Sequence, residues 1–245
     1  MLHPSKAAVA RELKRLARPA GRFDASRYFR GDANLGFYNV DTAAVRRVAK
    51  AIYSTHGDWN VEEALLIADA LIEDRFLEMK LVGIEVLALY RRSFTPRLLT
   101  TWKRWLADGQ SSNWATTDAI CGYLIGPLLV AHPRQARRVA AWARNRNMWV
   151  RRASAVSLIP LVRKGLGLDL AYQVARRLHA DREDLIQKAV GWMLREAGKA
   201  DILRLENYLR TKGPMIPRTT VRYAIERMSE SKRRSVLKAT KRRIY

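Results

Sequence analysis

From Leu77 to Tyr90, apolar residues recur at three- and four-residue steps with charges between them, the signature of one helical face. Val139–Trp149 and Leu185–Leu194 follow the same pattern. Helix-start chemistry is frequent. Asn60 stands three residues before Glu63, a capping-box spacing. Thr95-Pro96 and His132-Pro133 set proline at a first helical position. Asp181 precedes Asp184 at the head of another segment, and Gly165, Gly167 and Gly213 read as stops. No stretch sustains the alternation, β-branched enrichment and hairpin turns of strands. The pattern therefore predicts an all-α chain of roughly a dozen helices.

A longer period overlies the helical one. The windows starting at Lys80, Thr116, Arg152 and Lys188 lie 36 residues apart. Their fourth residue is always small (Gly83, Ala119, Ala155, Gly191) and their fifth large and apolar (Ile84, Ile120, Val156, Trp192). Such a period in a helical chain predicts stacked helix pairs, a solenoid in which the small residue lets neighbouring helices approach. The first position is basic in three of the four windows, so equivalent helices are expected to point like charges the same way. The first sixty residues fit the period less well, and Gly31–Asp41 looks irregular. With no Pro-, Gly- or Ser-rich linker, residues 1–245 read as one domain, ending in a basic tail over 231–245.

Composition adds the partner. The chain has 245 residues, 48% of them hydrophobic, with 46 Lys plus Arg against 23 Asp plus Glu, a formal charge of +23. Solubility alone needs a net charge of about 2–8, so a polyanion is the expected partner. One cysteine, Cys121, and four scattered histidines leave no thiolate cluster or histidine metal spacing. No metal or cofactor is expected. The longest apolar run, Cys121–Ala131, contains Pro127 and falls short of the ~18 residues that span a bilayer. The N-terminus carries Lys6, Arg11, Glu12, Lys14 and Arg15 rather than an apolar leader. A soluble, cytoplasmic protein is expected.

Between Asp118 and Asp169 there is no acid, while Arg134, Arg137, Arg138, Arg144, Arg146, Arg151, Arg152, Arg163 and Lys164 fall in that interval. Arginine suits bidentate phosphate contact. Tryptophans are interleaved; Trp102, Trp105, Trp142 and Trp149 read as core. Trp114 and Asp118 stand four apart and share a helical face. Asp118 is an acid out of pattern in its repeat window: a functional carboxylate, a helix-start aspartate, or one side of a salt bridge to a nearby arginine.

The segment Ser112-Asn113-Trp114-Ala115-Thr116-Thr117-Asp118 resembles the Trp-x-x-x-Asp motif of the AlkD-like DNA alkylation repair proteins, HEAT-like-repeat DNA glycosylases. Ile186–Glu196 resembles a second hallmark of that family, and Asn147–Ala153 and Ser26–Arg30 two weaker ones. The resemblance runs from about Arg27 to about Arg227. It implies a curved, right-handed solenoid of HEAT-like helical hairpins with a concave basic cleft. It also implies hydrolysis of the N-glycosidic bond of cationic alkylated purines in duplex DNA by a monomer associated with the nucleoid. Matched by position, Asp118 would be the catalytic carboxylate, Trp114 and Trp192 would flank the lesion nucleotide, Arg152 would contact phosphate, and Tyr28 would sit at the cleft edge. Lys80, Arg151, Lys188 and Arg195 complete the expected DNA-contacting set. Asn113 departs from the family, some members of which carry a second tryptophan there. A non-catalytic helical-repeat protein binding DNA or RNA, and a protein scaffold, are the competing readings.

Overall fold

The computed structural model describes residues 5–19, 29 and 34–241. Among them the chain is helical, with a single isolated bridge between Gly36 and Phe76 and no strand. It divides into two compact units, Met1–Leu124 and Ile125–Tyr245.

The first unit holds α1 (Lys6–Leu16), α2 (Thr42–Thr55), α3 (Val61–Ile72), α4 (Leu77–Leu89), α5 (Leu98–Ala107) and α6 (Trp114–Ala119). Polar caps start several of them. Asp41 accepts from Ala44 N at 2.7 Å ahead of α2. Asn60 and Glu63 close the expected capping box on α3, at 2.9 and 2.8 Å. α4 is apolar on nearly every side, so it becomes the core helix. Met79, Val82, Ile84, Val86 and Leu87 are buried, and α1, α2, α3 and α6 all pack on it. A Cβ on Gly83 would stand 3.0 Å from Leu71 Cβ and 3.2 Å from Ala68 Cα, so glycine sets how closely α3 and α4 approach. Trp102 and Trp105 are fully buried in α5, and the Trp105 indole N–H donates to Asp69 at 2.6 Å.

The second unit holds α7 (Gly126–Ala131), α8 (Ala136–Ala140), α9 (Met148–Val156), α10 (Ile159–Val162), α11 (Leu168–Leu178), α12 (Asp184–Ala200), α13 (Ile202–Lys212), α14 (Arg218–Ala224) and α15 (Glu230–Ala239). Here α12 is central, with α9, α10, α11, α13 and α14 packed around it. A Cβ on Gly191 would meet Tyr223 Cβ at 2.4 Å and the Thr220 carbonyl at 2.7 Å, so α14 lies directly on the α12 backbone.

All four repeat windows start in helices, α4, α6, α9 and α12, and each small fourth residue is buried. The first position behaves otherwise than expected. Lys80, Thr116 and Arg152 are buried, and only Lys188 is partly exposed. The cause is helical geometry: positions i and i+3 share a face. A residue three before the close-contact position therefore turns inward with it.

Three local expectations are corrected. Val139–Trp149 is not one helix, because Asn145 and Asn147 break it: the Asn145 side chain accepts from Asn147 N (2.9 Å), and Asn147 caps α9 by accepting from Trp149 N (2.8 Å). Pro96 lies in a turn two residues ahead of α5, with Leu98 N bonded to Thr95 O. The helical run through Pro127 is longer than its apolar core. Trp114–Ala131 forms an 18-residue helix of mean hydropathy 1.3, long and apolar enough to cross a membrane by those measures, and 56% of it is buried inside the protein.

Candidate functional site

The short helix α6 is pinned by buried polar groups. Ser111, Asn113, Thr116 and Thr117 are all buried. Asn113 Oδ1 accepts from Thr116 N (3.0 Å), Ser111 Oγ and Thr116 Oγ1 pair at 2.7 Å, and Thr117 Oγ1 donates to Ser111 O (3.1 Å). This explains the departure at Asn113. It is the N-cap of α6, a task a tryptophan side chain cannot perform. The cap fixes Trp114 as the first helical residue, which puts Asp118 one turn on along the same face. Both side chains are partly exposed, neither sealed in the core nor standing fully in solvent.

Trp114 carries an aromatic neighbour that the sequence reading missed. Phe29 stacks on it with planes 3° apart and centroids 5.3 Å apart, and Phe37 meets Phe29 at 5.4 Å. Its signal lay in the Ser26–Arg30 segment, next to Tyr28. Tyr28 itself falls outside the described residues. One indole face is thus occupied, which holds the ring in place.

A π-helix, Ile120–Ile125, follows α6 directly. The proline one residue past it gives a reason. The Pro127 ring would collide with the carbonyl four residues back in a regular helix, and the wider turn relieves that collision. π-turns also recur at functional sites. Tyr123 in this segment accepts from Arg46 of α2 at 2.9 Å, and Arg46 also reaches Glu85 of α4 at 3.0 Å.

Lys80, expected at the DNA surface, is 7% exposed. Its Nζ donates to Ile72 O (2.6 Å) and Gln110 O (2.8 Å). It ties the end of α3 to the loop that enters α6, a positioning role rather than a phosphate contact.

The second unit gathers another group. Arg152 is 5% exposed, and its guanidinium donates to the Leu185 carbonyl at the start of α12. Its charge reaches Lys188, whose pKa the Asp184 hydrogen bond raises, against burial and Arg152. Lys188, Trp192 and Arg195 follow one another at i, i+4 and i+7 along one face of α12, each partly exposed. Lys188 pairs with Asp184 at 2.6 Å, and Arg195 pairs with Glu226. Arg151 is drawn inward as well: it bonds Asp181 (2.7 Å) and the carbonyls of Asn145 (3.1 Å) and Arg146 (2.6 Å), bracing the loop before α9.

The second family-like segment contains an unexpected hub. Glu196 is buried and binds Arg163 and Lys199, each at 2.8 Å. Burial pushes its carboxyl up, but the hydrogen bonds from Arg163 and Lys199 outweigh it and leave the pKa below the usual value. Arg151, Arg152 and Arg163 therefore serve the fold. The exposed cations of the acid-free interval are Arg134, Arg137, Arg138, Arg144, Arg146, Lys164 and Arg163, the last of them held by Glu196. Among the described residues, no group of three or more His, Cys, Asp or Glu is placed to hold a metal ion.

Set beside known proteins, residues 9–228 match the sequence pattern of the DNA alkylation repair enzyme family. No curated protein sequence matches the chain. The fold is similar to the solved structure of a predicted DNA alkylation repair enzyme from Enterococcus faecalis. The TM-score is 0.73 at 19% identity, over 84% of this chain and 93% of that one. With a match that takes in most of its length, this chain belongs to the DNA alkylation repair enzyme family.

Proposed function

We propose that the protein is a DNA N-glycosylase that releases cationic alkylated purines, N3-alkyladenine and N7-alkylguanine, from duplex DNA and leaves an abasic site. The observation that carries this is the capped pair Trp114 and Asp118, one aromatic and one acidic side chain on the same partly exposed face of α6.

A purine alkylated at N3 or N7 bears a positive charge. It departs neutral when its glycosidic bond breaks and needs no acid to protonate it. Positive charge moves onto the deoxyribose, as in an oxocarbenium ion. A carboxylate at Asp118 stabilises that charge and orients the water that adds to the sugar carbon. The water's proton leaves with the carboxylate or solvent. The open indole face at Trp114 adds roughly 0.5–2 kcal/mol by cation–π attraction. Lys188 and Arg195 on α12, with the exposed arginines of residues 134–146, hold phosphates. Family membership, the +23 charge and the α6 geometry support this assignment.

Incubation with methylated duplex DNA, followed by detection of free bases, is the direct test. Release of 7-methylguanine and 3-methyladenine is expected, with uracil in a parallel duplex left in place. Tight DNA binding with no base released would instead make the protein a non-catalytic binder.

A further inference from the structure

Within the second unit, two adjoining cavities lie against α11, α13 and the residues after them. The larger, about 910 Å³, is lined by Arg176, His179, Lys212, Met215 and Lys241 among others. The smaller, about 200 Å³, is lined by Tyr172, Arg176, Arg204, Tyr208 and Lys212 among others. Arg176 and Lys212 line both, so the two open onto the same cations. Neither Arg152, Lys188 nor Trp192 lines either one.

The walls differ from a merely solvated basic face. Tyr172 is 2% exposed, and its hydroxyl is buried without a hydrogen-bond partner. The Arg204 guanidinium lies 4.6 Å above the Tyr172 ring and pairs with Asp169. His179 Nε2 and the Tyr208 hydroxyl are 2.6 Å apart, while His179 Nδ1 is buried and unpartnered. Buried polar atoms in native proteins nearly always have partners. Two such atoms beside converging cations therefore mark a place where a polar ligand completes the set. Burial keeps His179 neutral, with its pKa lowered to about 4, and holds Tyr172 protonated, its pKa pushed up to about 12. The phenol is a donor at neutral pH.

We propose that these cavities bind a 5′-phosphorylated nucleotide. The phosphate occupies the smaller cavity, against Arg176, Arg204, Lys212 and the Tyr172 hydroxyl. The nucleoside fills the larger one, where Pro214, Met215 and Ala239 supply apolar wall and His179 Nδ1 a polar contact. The larger volume lies within the range usual for small-molecule sites, roughly 300–1,000 Å³. The nucleotide is either free or the phosphorylated end of a strand; both present the same phosphate and sugar.

Calorimetric titration of the full chain with 2′-deoxyadenosine 5′-monophosphate, deoxyadenosine and inorganic phosphate tests this. The nucleotide should bind at least ~10-fold tighter than either part, because charge-assisted contacts and ring contacts must be made together. Arg176→Gln with Lys212→Gln should weaken it by ~10-fold or more, and Tyr172→Phe by ~3-fold, each hydrogen bond removed being worth that order. Arg91→Gln with Arg92→Gln, an equal charge change at exposed positions of the first unit, should leave affinity unchanged. A nucleotide that binds no tighter than phosphate overturns the proposal. So does an equal loss in the Arg91/Arg92 variant, or full affinity in Tyr172→Phe. Preference for a 5′-phosphorylated oligonucleotide over its dephosphorylated form assigns the site to strand ends; mononucleotide binding without that preference assigns it to free nucleotides.

Discussion

Asparagine in place of Asp118 removes a charge and keeps the shape, so it separates electrostatic catalysis from binding. Excision of 7-methylguanine should fall on the order of 10²–10³-fold, as for other preorganised groups facing developing charge, with duplex affinity retained. An unchanged single-turnover rate would take the carboxylate out of the mechanism. Lys80→Met makes a different distinction. It strips the buried Ile72 carbonyl and the part-buried Gln110 carbonyl of the Lys80 donor. Urea unfolding should show a loss of about 1–3 kcal/mol, and the salt dependence of DNA binding should stay as it was. A stable variant with a flatter salt slope would return Lys80 to the DNA surface. Trp114 and Asp118 were legible because a four-residue step names a shared helical face without reference to anything else. Lys80, Arg151 and Arg152 were not. A charge in a helix shows which way it points only once the neighbouring helix is known, and here the neighbour lies on their side.

Packing between helices is where the 36-residue register has its physical meaning. At Gly191 alanine would gain up to ~1 kcal/mol of helix propensity. It would also place a methyl 2.4 Å from Tyr223 Cβ and 2.7 Å from a Thr220 carbonyl, an overpacking worth typically ~1–3 kcal/mol. The clash should win, lowering the urea midpoint, whereas Gly122→Ala meets nothing within 4 Å and should not. Equal behaviour of the two variants would show that the α12–α14 contact tolerates widening. The register found these contacts because a small residue at a fixed step records how near two backbones come. It could not find the break at Asn145–Asn147, where side chains capture backbone N–H groups and end a helical pattern whose apolar spacing continues. Nor did it find the π-turn, which leaves the order of residue types untouched.

At the level of the whole chain, acid and salt act through different residues. His179 is neutral in the fold, with a pKa lowered to about 4 by burial and then by Arg176, against 6.5 in the unfolded chain. The unfolded state therefore binds the extra proton between those values, and stability falls as pH drops through that window, by about 2 kcal/mol at pH 5. Glu196 is lowered from 4.5, so its contribution is full well above that value and is lost as pH falls through and below it. Urea midpoints from pH 7 to 5 should fall in the wild type and fall much less in His179→Gln; an equal slope would place the acid response elsewhere. Salt should instead read the exposed arginines. Arg137, Arg144 and Arg146 changed together to Gln should flatten the plot of log affinity against log salt by up to ~0.9 for each phosphate that is no longer neutralised. Arg163→Gln should leave that slope intact and weaken the fold through Glu196. An unaltered slope in the triple variant would remove this arginine face from the interface. Net charge was plain in the composition; its division between surface and scaffold was not, because three of the nine cations in the acid-free interval turn to acids or carbonyls of the fold.

The sole cysteine of the chain, Cys121, is fully buried in the widened turn that begins two residues after Asp118. A thiol so placed reacts with an alkylating reagent only when that turn opens. Its labelling half-life is consequently a native clock for breathing of the backbone beside the carboxylate, readable by mass spectrometry with and without DNA and with no probe introduced.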